Sequence, residues 1–472
     1  MTFMELNAVE VVAEGPVRGH RDRGSQSSIV RARVLLISTY DLGHQPFGLA
    51  SPAAWLNGAG FEVTSLDLSR RQLGSVDVSR ADVVAFYVPM HTATRLAIAV
   101  REQVRELNPS ARICFYGLYG QANASHLLAL GADAVISGEF ESALVDYVTT
   151  VTGATHGPGT AEPVARTPGI ALSPLDKLSF RIPDRTGLPP LPEYARLAVG
   201  ERRQTAGYTE ASRGCRHKCR HCPVVPVYQG RLRIVQADVV LRDIDQQVAA
   251  GAEHITFGDP DFFNAPAHAV RLVETLHNRY PELSYDVTIK VEHLLRHSDL
   301  LPVLAATGCM FVTTAAESMD DRVLAYLDKG HTRADFIEAI GRCRGAGVVV
   351  NPTFVAFHPW STRESTLDTF AVLEELELVE SVAPIQLTTR LLIPEGSLLL
   401  DLPELASLLA PFDRTRLVYP WTSPDPAMDE LHAASERLAA RSGRENWSRA
   451  KRSTDCTDLS AGHRESVPQE PS

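Results

Sequence analysis

The chain has 472 residues, of which 44% are apolar and 22% are charged, and its formal net charge is −11. This length exceeds one ordinary core and predicts two or three domains. The acidic balance argues against a general nucleic-acid binder, because neutralising phosphates requires a basic face. No apolar run is long enough to span a bilayer, so no membrane partner is expected.

The first residues carry acidic groups where a signal peptide would carry a basic region and then an apolar core. We therefore expect a cytoplasmic, reducing compartment, in which clustered cysteines are metal ligands or catalytic groups more often than disulfides. The odd total of seven cysteines also disfavours a disulfide framework. Residues 1–30 are polar and lack a period, and we expect them to form a disordered arm.

Residues 31–151 alternate between β-rich apolar runs and helix-like segments. The runs are VLLIS at 34–38, FEVTSLDL at 61–68, DVVAFYV at 82–88, RICFYG at 112–117 and ADAVIS at 132–137. This alternation predicts an α/β domain with a doubly wound parallel sheet. Residues 152–203 are rich in proline and glycine and show no strand or helix period, which predicts an extended linker.

A second α/β series is expected over residues 204–410. Its strand candidates are AGYTEAS at 206–212, HITFGD at 254–259, YDVTIK at 285–290, CMFVTTA at 309–315, VVVNPTFVAF at 348–357 and PIQLTTRLL at 384–392. Six βα units without full closure predict a partial, TIM-like parallel barrel with its active site at the carboxyl ends of the strands. Residues 411–440 are expected to form a helical extension, and residues 441–472 a disordered tail.

Three cysteines, Cys215, Cys219 and Cys222, lie close together directly after the first strand of this second series. Their spacing would place them on one face of a helix, where they would be ordinary buried thiols. However, their neighbours are charged, and Gly214 and Pro223 bracket the stretch as a loop. The cluster therefore points to metal chemistry.

Two kinds of metal site fit the spacing. His217 or His221 would complete a zinc site with the thiolates. Alternatively, the three thiolates would hold an iron–sulfur cluster and leave one iron open to another ligand. Basic neighbours, among them Arg213 and Lys218, would favour thiolates and offset the charge of such a cluster.

With its triad after the first strand of a six-unit βα series, the sequence resembles the radical S-adenosylmethionine superfamily. The resemblance implies a 4Fe–4S cluster on the three cysteines, whose open iron binds the amino and carboxylate groups of S-adenosylmethionine. Reductive cleavage then gives methionine and a 5′-deoxyadenosyl radical, the chemistry being supplied by the cofactor. His221 stands where the family usually has an aromatic residue and is expected beside S-adenosylmethionine.

Three further segments match this family. FGDPDFF stands in place of a Gly-Gly-Glu-like segment, which implies that Gly258 and Asp259 meet the methionyl amine. AAESMDDRVLAYLDKGHT resembles the Glu-Ser segment with its following helix and Lys-Gly, which implies that Glu317 faces the ribose or amine. LIPEGS at 392–397 resembles the Pro-Gly-Thr segment. The alternatives are a glycine–proline turn at 258–260 and a helix-capping role for Glu317.

Residues 31–151 resemble the cobalamin-binding domain that precedes many radical S-adenosylmethionine enzymes. The matching loops are STYDLGHQPFGLASPAAWL, PMHTAT, GLYGQ and GEFE, the last with Phe140 in place of a glycine. Small residues there would let a flat corrin approach the backbone. The residues that the resemblance implies as cobalamin contacts are His44, Gly48, His91, Gly117, Gly138 and Glu139. The alternative is a degenerate sheet that binds no corrin.

Mutase-type cobalamin domains use Asp-x-His-x-x-Gly to place a histidine on cobalt. Here Asp41, Gly43 and His44 do not have that spacing, so no protein histidine on cobalt is expected.

From residue 33 to 435 the chain resembles a bacterial group named for its CUAEP or CCAEP tail. That tail is absent, and its place holds only Cys456, for which we expect no role.

These features predict an enzyme that cleaves S-adenosylmethionine reductively and, with cobalamin, transfers a methyl group to an unreactive carbon or phosphorus. One alternative is a radical enzyme without corrin that performs a rearrangement or a peptide modification. Another is a non-catalytic iron–sulfur protein that senses redox state. The expected partners are a small-molecule or peptide substrate and an electron donor such as flavodoxin or ferredoxin, with no nucleic acid.

Overall fold

The computed structural model of the chain describes residues 31–153, 170–172 and 174–444. The expected arm at 1–30 and residues 445–472 of the expected tail, with Cys456, lie outside these residues. Within the described ranges, no helix combines the length and the apolar character that crossing a membrane requires.

The first domain is built on a parallel six-stranded sheet. Its strands are β1 (Arg33–Ser38), β2 (Glu62–Asp67), β3 (Val83–Tyr87), β4 (Arg112–Tyr116), β5 (Ala134–Ile136) and β6 (Ile170–Leu172). The strand order is β2-β1-β3-β4-β5-β6. Its helices are α1 (Phe47–Gly58), α2 (Ser75–Arg80), α3 (His91–Leu107), α4 (Leu118–Ala122), α5 (Ala124–Ala129) and α6 (Phe140–Thr152).

Helices cover both faces of this sheet, which confirms the doubly wound α/β architecture. All five residues of β3 are buried, because a parallel sheet packed on both sides has no solvent face. One core joins the sheet to α1 and α6, through residues such as Leu49 and Leu144. The other joins the opposite face to α2, α3 and α5, through residues such as Val100 and Leu127.

The expected linker contributes strands to both sheets, so the expectation of an extended segment without strands was wrong. β6 pairs with β5 in parallel, with Leu172 opposite Ile136. Later in the segment, residues 196–199 form a strand that pairs with the following one. Three or four residues are too few to show a period, and these strands form because an existing sheet edge supplies their hydrogen-bond partners.

The second domain is a curled sheet flanked by helices. Its strands are β7 (Arg196–Val199), β8 (Arg202–Thr209), β9 (Ser212–Gly214), β10 (Leu232–Ile234), β11 (His254–Phe257), β12 (Ser284–Thr288), β13 (Cys309–Glu317) and β14 (Val350–Phe354). The main sheet has the order β14-β13-β12-β11-β8-β7 and is parallel except for β7. β9 and β10 form a separate antiparallel pair.

The helices of this domain lie mainly on the outer face of the sheet and end in the C-terminal helix. They are α7 (Val224–Tyr228), α8 (Ala237–Ala249), α9 (Pro266–Arg279), α10 (Val291–Arg296), α11 (Leu301–Ala306), α12 (Asp321–Tyr326), α13 (Arg333–Gly345), α14 (Arg363–Glu375), α15 (Pro403–Ala406) and α16 (Pro426–Arg444). One large apolar core joins strands β11 to β14 with helices α8, α9 and α13.

The sixth barrel strand expected at 384–392 is reduced to one bridge. Residues Pro384–Thr388 form a 3-10 helix instead, with proline at its start. A single parallel bridge follows between Phe357 and Arg390. The helical extension expected at 411–440 begins only at Pro426. The preceding stretch forms the antiparallel bridges Leu409–Trp421 and Asp413–Val418.

Candidate active site

The three cysteines lie in the loop between β9 and α7, beyond the carboxyl end of β8. Gly214 precedes them at φ +75°, and a Cβ there would lie 2.3 Å from the Arg231 carbonyl oxygen. Only glycine fits such a position without strain. Within the loop, Cys222 N donates to the Cys219 carbonyl at 3.1 Å. The thiols therefore sit on a turn, and the alternative of one helix face is excluded.

The cysteine loop places thiols in a largely buried setting beside one lysine. Cys215 and Cys219 are buried, Cys222 is half-buried, and none of the three forms a disulfide. Asn264 donates its side-chain amide to Cys215 Sγ at 3.5 Å. Burial raises the pKa of the Cys222 thiol to about 12, and the charge of Lys329 opposes that rise. This donor set suits a bound metal group better than free thiolates.

Glu317, His221 and Lys329 form a buried polar cluster next to the cysteines. Glu317 Oε1 lies 3.0 Å from His221 Nε2 and accepts a hydrogen bond from Lys329 Nζ at 3.2 Å. Although burial raises the pKa of the Glu317 carboxyl, Lys329 and His221 together lower it below its usual value. The structure thus brings together two predicted contacts, His221 and Glu317. It adds Lys329, which the sequence noted only as part of a Lys-Gly pair.

Gly258 and Asp259 follow the carboxyl end of β11, where the sequence predicts them. Asp259 accepts hydrogen bonds from Ala211 N at 2.9 Å and from Ser212 Oγ at 2.5 Å. Burial raises the pKa of its carboxyl to about 7. The carboxyl therefore joins the end of β11 to the strand that leads into the cysteine loop. A Cβ at Gly258 would lie 1.8 Å from the Tyr208 hydroxyl oxygen, so this glycine makes room for the ring.

Arg213, directly before Gly214, connects the second domain to the first. Its guanidinium contacts Glu141 at 2.7 and 2.9 Å, Glu210 at 2.7 Å and Glu139 at 3.4 Å. The side chain is only 7% exposed. The sequence predicts that Arg213 offsets charge at the thiols. In the structure its guanidinium is instead paired with these three glutamates. The GEFE segment supplies two of them, a pairing that no local sequence pattern reveals.

A cavity of about 350 Å³ lies between the carboxyl edges of the two sheets. The first domain contributes residues at or beyond the carboxyl ends of β1, β3, β4 and β5, among them Asp41, His44, Tyr87, Leu118 and Gly138. The second contributes residues around the start of the cysteine loop and the end of β11, among them Tyr208, Glu210, Ser212, Gly258 and Asp259. Groups held by the two domains would therefore share one space.

Two of the residues expected to contact cobalamin line this cavity, His44 and Gly138. The His44 ring packs against the ring of Tyr208 at a centroid distance of 5.0 Å. Burial lowers the pKa of His44, which favours the neutral imidazole. Its Nδ1 is buried and has no hydrogen bond among the described residues.

The other four expected contacts lie away from this cavity wall. Gly48 and Gly117 both lie against the ring of Tyr87. His91 Nε2 lies 2.6 Å from the Arg416 carbonyl oxygen. Glu139 is buried in the ion pair with Arg213. All four positions are therefore occupied by internal contacts of the protein.

The carboxyl groups of Asp41 and Glu210, which the sequence did not predict as ligand contacts, also line the cavity. Burial raises the pKa of Asp41 to about 8, and the charges of Glu210 and Asp67 add to the effect. Burial also raises the pKa of Glu210, while Arg213 opposes that rise. The cavity wall therefore carries carboxyl groups, and the raised pKa of Asp41 keeps its carboxyl protonated near neutral pH.

Two family models match the chain. The B12 binding domain matches residues 33–148 and the Radical SAM superfamily matches residues 209–373. Together they cover more than half of the chain, and they fall on the first sheet domain and on the curled sheet with its cysteine loop. The two domains imply a 4Fe–4S cluster, S-adenosylmethionine and cobalamin as cofactors.

Curated relatives are distant and partly matched. A probable threonylcarbamoyladenosine tRNA methylthiotransferase of Archaeoglobus fulgidus is 23% identical over 194 residues, which are 39% of this chain and 45% of the relative. A tRNA-2-methylthio-N(6)-dimethylallyladenosine synthase of Chlorobium phaeobacteroides is 27% identical over 180 residues, or 36% of this chain and 40% of the relative. The chain thus spans less than half the length of these two relatives.

Solved structures share the fold over most of the chain. The cobalamin-dependent S-adenosylmethionine radical enzyme OxsB, with aqua-cobalamin bound, has a TM-score of 0.66 at 13% identity and covers 86% of this chain and 66% of its own. The radical S-adenosylmethionine methyltransferase TsrM of Kitasatospora setae, with cobalamin and a 4Fe–4S cluster bound, has a TM-score of 0.56 at 18% identity. That match covers 74% of this chain and 71% of the TsrM chain.

The two family models match the chain in the same order as the two domains of the fold. The shared cavity lies between these domains. The chain carries a B12-binding domain, over residues 33–148, in front of a domain of the radical S-adenosylmethionine superfamily, over residues 209–373.

Proposed function

We propose that the chain is a cobalamin-dependent radical S-adenosylmethionine enzyme that transfers a methyl group to an unreactive carbon or phosphorus. The observation that carries the proposal is the cavity between the two sheets, which residues of both domains line. The carboxyl edges of parallel sheets are where such folds bind their ligands. A shared cavity gives a methyl carrier on one domain direct access to a substrate activated on the other.

Cys215, Cys219 and Cys222 are the proposed ligands of the cluster. Three free thiols on one turn fit the three protein ligands of a site-differentiated 4Fe–4S cluster. The zinc alternative needs a histidine as fourth ligand. However, His221 faces Glu317, and His217 Nε2 lies 3.4 Å from Asp261. Both imidazoles therefore face carboxylates and not the thiols, which favours the iron–sulfur assignment.

His221, Gly258, Asp259 and Glu317 are the proposed contacts of S-adenosylmethionine. Gly258 and Asp259 directly follow β11, and Glu317 ends β13 and contacts His221 of the cysteine loop, which supports this role. Glu317 stays ionised beside Lys329 and offers a carboxylate to a cationic or hydroxyl group. Asp259 is held by two hydrogen bonds within the protein, so we assign it to positioning the loop as well as to the ligand.

His44 and Gly138 are the proposed contacts of cobalamin that face the cavity. Gly48, His91, Gly117 and Glu139 were also expected to contact it, and we now propose that they shape the loops behind the wall. When bound, the cluster supplies the electron that cleaves S-adenosylmethionine, and cobalamin carries the methyl group. The chain's own residues orient these groups, exclude water and set the charge of the cavity.

We further propose that a flavodoxin or ferredoxin supplies the electron and that the substrate is a small molecule or a peptide. Purified protein reconstituted anaerobically with iron, sulfide and hydroxocobalamin tests the whole proposal. With reductant and methyl-labelled S-adenosylmethionine, we expect 5′-deoxyadenosine and labelled methionine from reductive cleavage. From methyl transfer we expect S-adenosylhomocysteine and a labelled methyl group on cobalamin. A cell extract added as substrate source should then yield a product that carries the label.

The alternative functions give different results in this experiment. Formation of 5′-deoxyadenosine without corrin binding would identify a radical enzyme that does not use cobalamin. A cluster without any cleavage of S-adenosylmethionine would identify an iron–sulfur protein of another kind. Either result would overturn the proposal.

A further inference from the structure

We infer that His217, Asp261 and His293 form a binding site for a divalent transition-metal ion of the zinc class. The three side chains come from the cysteine loop, from the turn after β11 and from α10. Its three ligands do not include the loop thiols, and the inference does not depend on the proposed function.

The geometry brings one ligand atom of each side chain to a common point. These atoms lie within 4.8 Å of one another. Asp261 Oδ2 is 3.4 Å from His217 Nε2 and 2.7 Å from His293 Nδ1. Neighbouring ligands of a tetrahedral zinc ion are about 3.3 Å apart, given bonds of about 2.0 Å. The first spacing fits an ion directly, and the second would widen by about 0.6 Å on binding.

The three atoms are buried without adequate partners. The side chains of Asp261, His293 and His217 are 0%, 6% and 14% exposed. Among the described residues, Asp261 Oδ2, His217 Nε2 and His293 Nδ1 have no hydrogen bond of acceptable geometry. Burying polar groups without hydrogen-bond partners is unfavourable. One metal ion would satisfy all three at once, because the three atoms lie within 4.8 Å of one another.

The remaining atoms of the cluster are engaged in ways that leave these lone pairs available. Asp261 Oδ1 accepts a hydrogen bond from Phe263 N at 3.2 Å, which leaves Oδ2 to face the imidazoles. His217 Nδ1 faces Glu292 Oε2 at 3.4 Å. A carboxylate behind a ligand histidine holds the proton on the outer nitrogen and directs the inner one at the metal.

The donor set indicates the class of ion. Two imidazoles and one carboxylate suit zinc or ferrous iron, whereas calcium and magnesium favour oxygen ligands alone. His217 lies two residues from both Cys215 and Cys219. A metal at this point would therefore fasten the cysteine loop to α10 and to the turn after β11.

The test measures zinc in the full chain after anaerobic cluster reconstitution. Protein is incubated with Zn²⁺, desalted and analysed for metals and by zinc K-edge X-ray absorption. We expect about one zinc per chain, bound to nitrogen and oxygen at about 2.0 Å and with no sulfur scattering. A chain with all three loop cysteines changed to Ala should still hold this zinc, because its ligands are elsewhere.

Asp261→Asn and His293→Ala should each lose most of the zinc while the iron content stays unchanged. Asn retains a side-chain oxygen that can accept the hydrogen bond from Phe263 N. This variant therefore removes the carboxylate ligand and keeps that hydrogen bond. His297→Ala is the matched control, because His297 lies next to His293, with a ring distance of 5.6 Å, and is not a ligand. It should retain the zinc.

Three results would overturn the inference. They are absence of zinc from the wild-type chain, sulfur scattering around the zinc, and zinc retained by both Asp261→Asn and His293→Ala. A chain that binds zinc as expected but does not cleave S-adenosylmethionine would overturn only the proposed function. Circular dichroism of each variant establishes that the loss of zinc is not a loss of folding.

Discussion

Arg213 and Glu141 form a bidentate ion pair across the two domains, with nitrogen–oxygen distances of 2.7 and 2.9 Å. Ser51 Oγ donates to the same carboxylate at 2.6 Å, and the Arg213 guanidinium lies 5.3 Å from the centroid of the Phe140 ring. Because Arg213 is two residues before Cys215, this pair fixes the root of the cysteine loop against the first domain.

Removing one partner of this pair should destabilise the protein strongly. Glu141→Ala leaves the buried guanidinium with one carboxylate fewer, and breaking a buried pair in this way typically costs about 3–5 kcal/mol. We expect a clear fall in the denaturant midpoint. Glu193→Ala is the control, since its pair with Arg71 is exposed to solvent and such pairs contribute little to stability. Equal effects of the two variants would contradict this account of the interface.

Each loop cysteine should be required for the cluster. Cys215→Ala, Cys219→Ala and Cys222→Ala should each lose most of the roughly four irons per chain expected after reconstitution. They should also abolish 5′-deoxyadenosine formation. Cys343→Ala is the control, because Cys343 lies on α13 within the apolar core. A variant at Cys343 that lost its iron, with Cys219→Ala keeping it, would reverse the assignment of ligands.

Cobalamin bound to the first domain should have no protein histidine on cobalt. The Asp41 to His44 segment lacks the spacing of the mutase motif, and the His44 ring packs against Tyr208. Electron paramagnetic resonance of the cobalt(II) form should show no nitrogen splitting from an axial imidazole. Splitting that is present in the wild type and disappears in His44→Ala would show that His44 binds cobalt after all.

The stability of the protein should depend on pH through Asp41. Its pKa is about 8 in the folded chain, against an ordinary value of 3.8. As pH rises from about 4 to about 8, the unfolded chain releases a proton that the folded chain keeps, so the free energy of unfolding falls. Asp41→Asn removes this dependence and should stabilise the protein by at least about 1 kcal/mol at pH 9.

Denaturant unfolding at pH 5 and pH 9 measures this effect. The difference between Asp41→Asn and the wild type should be larger at pH 9 than at pH 5. Asp77→Asn serves as the control, because Asp77 is exposed on α2. A pH-independent difference would show that the Asp41 carboxyl is ionised in the folded protein.

Gly258→Ala should disturb the cavity wall. The added Cβ would lie 1.8 Å from the Tyr208 hydroxyl oxygen, so the ring must move at a cost of about 1–3 kcal/mol. We expect a lower melting temperature and slower cleavage of S-adenosylmethionine. Gly341→Ala is the matched control: it lies within α13 with no atom near its Cβ, and alanine there should stabilise the helix by up to about 1 kcal/mol.

The sequence was sufficient for the elements that carry strong periodic patterns. Runs such as DVVAFYV mark strands buried on both faces, and the alternation with helices implies parallel order. Both observed parallel sheets agree with this. The pattern was insufficient at 384–392, where an apolar run read as a strand became a 3-10 turn and one bridge. Short apolar runs do not distinguish these outcomes, because the neighbouring strand decides whether a partner is available.

The features of the candidate site also divide into those that the local sequence predicts and those that it does not. The loop position of the three cysteines followed from Gly214 and Pro223, because turn residues act locally. The partners of Arg213 and the position of Lys329 beside the thiols did not follow, since they depend on residues far away in the chain. Gly48 and His91 stand in matching loops but do not line the cavity, because a matching loop sequence does not specify which way a residue faces.

The sequence by itself determined the two-domain α/β order, the cysteine loop and the family, because these depend on periodicity and on the spacing of neighbouring residues. Only the tertiary structure decided which side chains meet. It placed His221 on Glu317, Arg213 on Glu141, and His217 beside Asp261 and His293. The physical reason is that the carboxyl ends of parallel strands converge at one edge, so residues separated by tens to hundreds of positions share one site.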